Sequence, residues 1–221
     1  MTEIELFPFW LSLKVATLAT LVSIIVGLPF AHFLAKKRGA AAELVVASTL
    51  LPIVLPPTVL GYYLLVLLGR NSVVGQAYES VAGSPLVFTW QGAVIASAVA
   101  SSPFLIRTAL AAVQSVPKDM EEAARTLGLS ELRIAIKITL PLAWKGITAG
   151  VVLTFAKAIG EFGATLMVAG NIPGETQTLP IAIYDSVQAG RGDVANFLSI
   201  SLAVSATLAV LLVSRLGRTR L

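Results

Sequence analysis

Cysteine is absent from the 221 residues, histidine occurs once, and only 13% of the residues are charged. The lack of cysteine excludes a disulfide framework, a thiolate metal site and a cysteine nucleophile. An intramembrane enzyme would need a nucleophile with its base or a metal cluster, and a single histidine without cysteine argues against both. A soluble domain carries about a quarter charged residues, so the low charge excludes a soluble globular enzyme.

Hydrophobic residues make up 56% of the chain and lie in long blocks. A block of about 18 such residues can cross the ~30 Å hydrocarbon layer as a helix, which satisfies its own backbone groups. No block alternates as a barrel strand would. We therefore predict an all-α integral membrane protein. Its five predicted transmembrane helices are residues 7–35, 44–68, 87–113, 142–169 and 195–214.

The basic residues predict the orientation in the membrane. With five spans, twelve of the Lys and Arg residues fall on one side and only Arg70 and Arg191 on the other. Because cytoplasmic loops carry the excess of Lys and Arg, the amino terminus is predicted outside and the carboxyl terminus, including Arg220, in the cytoplasm. Glu3 and Glu5 outside are compatible with this. The net charge of +4 is thus a topology signal and does not indicate nucleic-acid binding.

The long cytoplasmic loop, residues 117–141, has helix signals of its own. Pro117 followed by acidic residues predicts a helix start, and Gly128 predicts its end. A loop that only joined two spans would not need 25 residues with such signals. We interpret the segment as a rigid docking element for a cytoplasmic partner.

The same loop resembles the EAA loop of ABC importer permeases. The residues that carry the resemblance are Glu122, Ala123, Ala124 and Gly128, and then Leu140 and Pro141. The resemblance implies a coupling helix in a groove of an ATP-binding subunit, in which Glu122 contacts the partner, the alanines permit close approach and Gly128 makes the turn. The chain has no Gly-x4-Gly-Lys-Ser/Thr motif to cradle phosphates. No cofactor is therefore expected on this chain, and ATP and Mg are expected on the partner subunit.

Two opposite charges, Lys157 and Glu161, lie within the fourth predicted span. Such charges rarely face lipid, and a spacing of four residues lets them meet on one helical face. Two interpretations remain open: an internal ion pair that locks the bundle, or a pair that lines a pathway or supports a gate. A bare carboxylate would repel an anion, so neutralisation by Lys157 is more plausible than direct anion binding by Glu161.

Other polar or helix-breaking positions are candidates for the translocation pathway. Pro56 and Pro57 cannot lie in an unbroken helix, so we predict a kink beside the pathway. Ser101 offers a hydroxyl near a further proline in the third span. Lys14, about two turns inside the first span, either snorkels to the interface or draws anions into an outer vestibule.

Two further stretches, residues 160–165 and 170–184, closely resemble molybdate permeases, and the resemblance extends over nearly the whole chain. It implies a single permease domain over residues 1–221 that imports a tetrahedral oxyanion, most plausibly molybdate, by alternating access in the bacterial inner membrane. It also implies a homodimer, two ATP-binding subunits and an extracytoplasmic oxyanion-binding protein. Tungstate, sulfate or thiosulfate stays open, because sulfate permeases share the Gly-Glu-Phe-Gly element. A channel or secondary transporter would not need a capped docking helix, and an inverted repeat would be expected of a transporter.

Overall fold

The computed structural model describes residues 6–218, and all regular secondary structure in that range is helical. Four helical stretches are long and apolar enough to cross a membrane. A fifth crossing is available if the pair Pro57–Leu68 and Val73–Ala82, bent by 62°, counts as one span. The prediction of an all-α protein with several membrane spans is therefore confirmed. The four continuous stretches are Phe7–Ala35, Trp90–Gln114, Glu131–Ile159 and Gly192–Leu212.

The helices follow one another with short connections. In chain order they are α1 (Phe7–Ala35), α2 (Ala40–Ser48), α3 (Leu51–Val54), α4 (Pro57–Leu68), α5 (Val73–Ala82), α6 (Trp90–Gln114), α7 (Lys118–Thr126), α8 (Glu131–Ile134), a π-helical turn (Ala135–Thr139), α9 (Leu140–Ile159), α10 (Gly163–Ala169), α11 (Leu179–Gln188) and α12 (Gly192–Arg218).

The core of the bundle is built from α1, α6 and α9, with small residues at their contacts. Ala16, Ala98 and Ala158 are buried in one cluster with Phe155. A Cβ on Gly150 of α9 would lie 2.0 Å from the hydroxyl of Thr108 on α6. Small side chains let helix backbones approach closely, which is how transmembrane helices pack in the absence of a hydrophobic driving force between them.

The second predicted span, residues 44–68, needs correction. The apolar run is divided into α2, α3 and α4, and the backbone is extended at Leu55 (ψ 138°) and Pro56 (ψ 137°). The reason is local: proline has no N–H for the helix and disfavours helical backbone in the residue before it. The predicted break at Pro56–Pro57 is confirmed, but the candidate crossing runs from Pro57 to Ala82 instead.

The fourth predicted span, residues 142–169, also has different limits. Its helix begins at Glu131, passes through the π-helical turn and ends at Ile159, so Leu140 and Pro141 lie inside a continuous helix and not in a loop. The ring of Pro141 would collide with the carbonyl four residues earlier in a regular helix, and the wider π turn accommodates it. The chain then breaks at residues 160–162 before α10 begins.

Candidate functional site

Helix α7 is short, and its first and last residues are well defined. It lies at the end of the bundle where α1 and α6 finish. We call this the basic end, because Lys36, Lys37 and Arg38 lie there. It begins after Pro117, carries Asp119 and Glu121 in its first turn and ends near Gly128. Gly128 has a positive φ of 78°, a left-handed conformation that favours glycine. The start and stop predicted from the sequence are therefore confirmed.

Ion pairs hold α7 against the basic end of the bundle. Arg125 Nε lies 2.6 Å from Glu131 Oε1, and Lys36 Nζ lies 3.0 Å from Glu131 Oε2. The Glu131 carboxylate, chiefly through its hydrogen bond, raises the pKa of Arg125 above its ordinary value. Glu131 thus joins three segments: the end of α1, helix α7 and the start of the helix that leads into α9.

Glu121 fixes the inner face of α7. Its carboxylate accepts a hydrogen bond from the hydroxyl of Thr139, which is fully buried, and lies 3.4 Å from Arg125 Nη2. Glu121, Thr139 and Lys36 were not predicted from the sequence as functional residues. The spacing of four residues between Glu121 and Arg125 was a usable signal, but no local pattern connects Glu121 to Thr139.

The structure separates the predicted coupling residues into two sets. Glu122, Ala123 and Gly128 are exposed, whereas Ala124 is buried on the inner face of α7. Of the two alanines, only Ala123 is therefore accessible for close approach by a partner. The exposed surface also carries apolar side chains that were not predicted from the sequence to be functional, namely Met120, Leu127 (79% exposed) and Leu132.

A second group of predicted residues meets where two helices are broken. Lys157, near the end of α9, forms an ion pair with Glu161 in the break that follows. Glu161 is buried and also accepts a hydrogen bond from the backbone N–H of Ala164 at 3.1 Å. Gly163 packs on Pro57, because a Cβ on Gly163 would lie 2.6 Å from the Pro57 Cβ. The breaks before α4 and before α10 therefore lie against each other, with the ion pair beside them.

The remaining predicted pathway residues lie elsewhere. Ser101 is fully buried and its hydroxyl donates to the Ser97 carbonyl at 2.7 Å, so it supports helix packing in this structure. Lys14 Nζ lies 3.4 Å from the centroid of a Trp90 ring, a cation–π contact. It borders a cavity of about 510 Å³ that Trp10 and Glu175 also line.

The arrangement of the helices is that of the membrane-spanning subunits of ABC transporters. The chain is similar to one in an inward-facing MetNI methionine ABC transporter, with a TM-score of 0.78, 19% identity and full coverage of both chains. It is also similar to a chain of a bacterial alginate ABC transporter in complex with a periplasmic protein bound to an alginate pentasaccharide. That match has a TM-score of 0.77 and 20% identity over 99% of this chain and 80% of the other. At this identity the likeness shows the fold.

The family follows from the sequence. Residues 20–219 match the model of the binding-protein-dependent transport system inner membrane component family, and the chain belongs to that family. It is 41% identical to the molybdenum transport system permease protein ModB of Escherichia coli K12, over 100% of this chain and 98% of the relative. It is 42% identical to the putative molybdenum transport system permease protein YvgM of Bacillus subtilis, over 85% of this chain and 83% of the relative. The protein is thus a multi-pass inner-membrane transport subunit.

Proposed function

We propose that this chain is the permease subunit of an ATP-driven importer of molybdate. The coupling part of the proposal rests on α7. Contacts with Glu131 and Thr139 hold this helix in place, while Glu122 and Leu127 stay exposed. A rigid helix with an acidic and apolar exposed face is suited to dock on another protein. Support for molybdate comes from the relatives at 41–42% identity, which are named molybdenum transport permeases.

The proposal places α7 in the cytoplasm, against an ATP-binding subunit that holds ATP and Mg. The excess of Lys and Arg at the basic end supports this orientation. Two permease chains, two ATP-binding subunits and an extracytoplasmic binding protein would form the importer. The chain has apolar surface for a second copy: α4 exposes Tyr62, Tyr63 and Val66.

In this assembly the two helix breaks are the candidate gate. Secondary transporters place their ion and substrate sites at discontinuous helices, and the same argument makes these breaks candidates here. The buried Glu161 would repel an oxyanion, and Lys157 cancels that charge while 38% of its own side chain stays exposed. ATP binding and hydrolysis on the partner would shift the pathway between outward-open and inward-open states through α7.

Reconstitution tests the proposal. The chain is combined in proteoliposomes with an ATP-binding subunit and an oxyanion-binding protein of the same system, and uptake of molybdate is measured with and without ATP. We expect ATP-dependent uptake that needs the binding protein and that tungstate inhibits more strongly than sulfate. Preferential uptake of sulfate or thiosulfate would show that the chain belongs to an importer of that anion and not of molybdate. Uptake without ATP or the other subunits would instead indicate a channel or secondary transporter.

A further inference from the structure

A groove at the basic end runs between α1, α2 and α6. Its cavity has a volume of about 690 Å³. Three cationic side chains line it, those of Lys37, Arg38 and Arg107. The rest of its wall is mainly apolar and includes Leu34, Val46, Leu50 and Leu110.

The three cations have no carboxylate partner in the part of the chain that the structure describes. Lys36 and Arg125 close by are both paired with Glu131, whereas these three cations are available to a ligand. Lys37 Nζ has only the Phe33 ring, 4.8 Å from its centroid. Glu43 also lines the cavity and forms no ion pair among the described residues, so one carboxylate faces three cations.

Arg107 lies deeper than the other two cations. It precedes the last residue of α6, Gln114, by seven positions, which is about 10 Å along a helix axis. An arginine at that depth in a membrane span is stabilised by an opposite charge close to it. The apolar wall beside it would remain in contact with hydrocarbon. A ligand that satisfies both conditions carries an anionic head and an apolar tail.

We propose that the groove binds an anionic phospholipid of the cytoplasmic leaflet. The phosphate pairs with Arg38 and Arg107, since guanidinium groups match phosphate oxygens in a bidentate geometry. Lys37 adds a further charge, and one acyl chain lies on Val46 and Leu50, the half-buried apolar side chains of the wall. Basic pockets between helices on the cytoplasmic side are suited to anionic headgroups. A free oxyanion would leave the apolar wall unused. The lipid site rests on the proposed function in one respect only, namely that the basic end faces the cytoplasm.

A bound lipid also accounts for the exposure of α2. No residue of α2 is buried, although the helix lies beside the bundle. The helix starts after Gly39, whose φ of 102° is a turn conformation that favours glycine. A lipid in the groove completes the contact between α2 and the ends of α1 and α6.

The test is the retention of phosphatidylglycerol by the full chain. The permease is purified from nanodiscs of phosphatidylcholine and phosphatidylglycerol, and bound lipid is identified by native mass spectrometry. We expect the wild type to retain phosphatidylglycerol in preference to phosphatidylcholine. Arg38→Gln and Arg107→Gln should each lower this preference roughly fivefold, the loss expected for one cation near an anionic headgroup. Arg107→Lys keeps the charge and should retain most of the preference.

The matched control is Lys137→Gln, which removes an exposed cation that does not line the groove. It should leave the preference unchanged. Equal loss in this control, or full retention in Arg38→Gln and Arg107→Gln together, would overturn the proposal. Release of phosphatidylglycerol by excess inorganic phosphate or molybdate would do so too, because it identifies a site for free oxyanions.

A second copy of the chain is the other possible occupant of the groove. Since the chain has no cysteine, Ala47→Cys introduces a single thiol on the wall of the groove. Modification of that thiol by a lipid-soluble reagent supports an open groove, whereas a disulfide between two copies would overturn the lipid proposal. None of these measurements uses ATP or transport, so their failure would leave the importer proposal intact.

Discussion

Lys157 and Glu161 form an ion pair whose two side chains differ in exposure, 38% for the lysine and 2% for the glutamate. The carboxylate has one further partner, the backbone N–H of Ala164. Loss of the lysine would therefore leave a buried charge, whereas loss of the glutamate would leave a cation that is only partly buried. The two halves of the pair are not equivalent.

The first prediction concerns the stability of this pair. Lys157→Met should lower the free energy of unfolding by about 3–5 kcal/mol, because breaking a buried pair leaves an uncompensated charge. Glu161→Gln should cost less, about 1–3 kcal/mol, since the amide oxygen can still accept from Ala164. The double variant should be more stable than Lys157→Met alone. Unfolding of the permease in mixed micelles measures all three, and costs that simply add would show that the two residues are not coupled.

The second prediction concerns the contact between the two helix breaks. Gly163→Ala should destabilise the permease by about 1–3 kcal/mol, because the added Cβ would lie 2.6 Å from that of Pro57 and force the breaks apart. Gly160→Ala is the matched control: it lies three residues earlier, nothing is within 4 Å of its Cβ position, and its φ of −96° suits alanine. Equal stability of the two variants would contradict the close contact.

The elements that the sequence predicted well are those set by local chemistry. The limits of α1 agree with the predicted first span, because a long apolar run fixes a membrane helix by its length. The ends of α7 were predicted because Pro117 and Gly128 act on their own neighbours. The Lys157–Glu161 pair was predicted from spacing, although Glu161 lies beyond the end of its helix.

The elements that were predicted poorly from the sequence depend on distant parts of the chain. Hydropathy favoured residues 44–68, which carry no charge, over residues 57–82, which contain Arg70 and Glu79. It therefore neither divided residues 44–68 nor pointed to the candidate crossing through α4 and α5. The burial of Ala124 and Ser101 follows from packing against other helices. The contact between Glu121 and Thr139 joins residues 18 positions apart and has no sequence signature.

The third prediction concerns the attachment of α7. Glu121→Ala removes the acceptor of Thr139 and a partner of Arg125, so α7 should open more often. We expect amide hydrogen exchange over residues 118–126 to rise about tenfold, which corresponds to roughly 1.4 kcal/mol. Glu122→Ala is the control, because that neighbouring carboxylate is exposed and forms no ion pair within the described residues. Equal exchange in the two variants would mean that Glu121 does not hold the helix.

The fourth prediction concerns orientation. Because the chain lacks cysteine, Ser84→Cys and Lys118→Cys each provide a single exposed thiol. An impermeant thiol reagent should label Ser84→Cys in intact cells, and Lys118→Cys only after the membrane is opened. A reporter fused after Arg220, which lies outside the described residues, should report cytoplasm. The reverse labelling would invert the proposed topology and place α7 outside.

The fifth prediction concerns coupling through α7. Gly128→Asp strains the left-handed turn that ends the helix, and Glu122→Lys reverses a charge on its exposed face. Neither change touches a transmembrane contact, since nothing lies within 4 Å of the Cβ position of Gly128 and the Glu122 side chain is exposed. Both variants should therefore insert and assemble. In both variants, loaded binding protein should stimulate ATP hydrolysis at least about tenfold less than in the wild type, because a docking contact is lost.

The control for strain is Gly190→Asp. Gly190 has a φ of 70°, close to the 78° of Gly128, and nothing lies within 4 Å of its Cβ position, but it lies after α11 and away from α7. The same backbone penalty there should leave ATPase stimulation near the wild-type level. If Gly190→Asp lost stimulation as fully as Gly128→Asp, general destabilisation would explain both. If Gly128→Asp and Glu122→Lys kept full stimulation, α7 would be only a linker, and the permease would have to receive its energy through another surface.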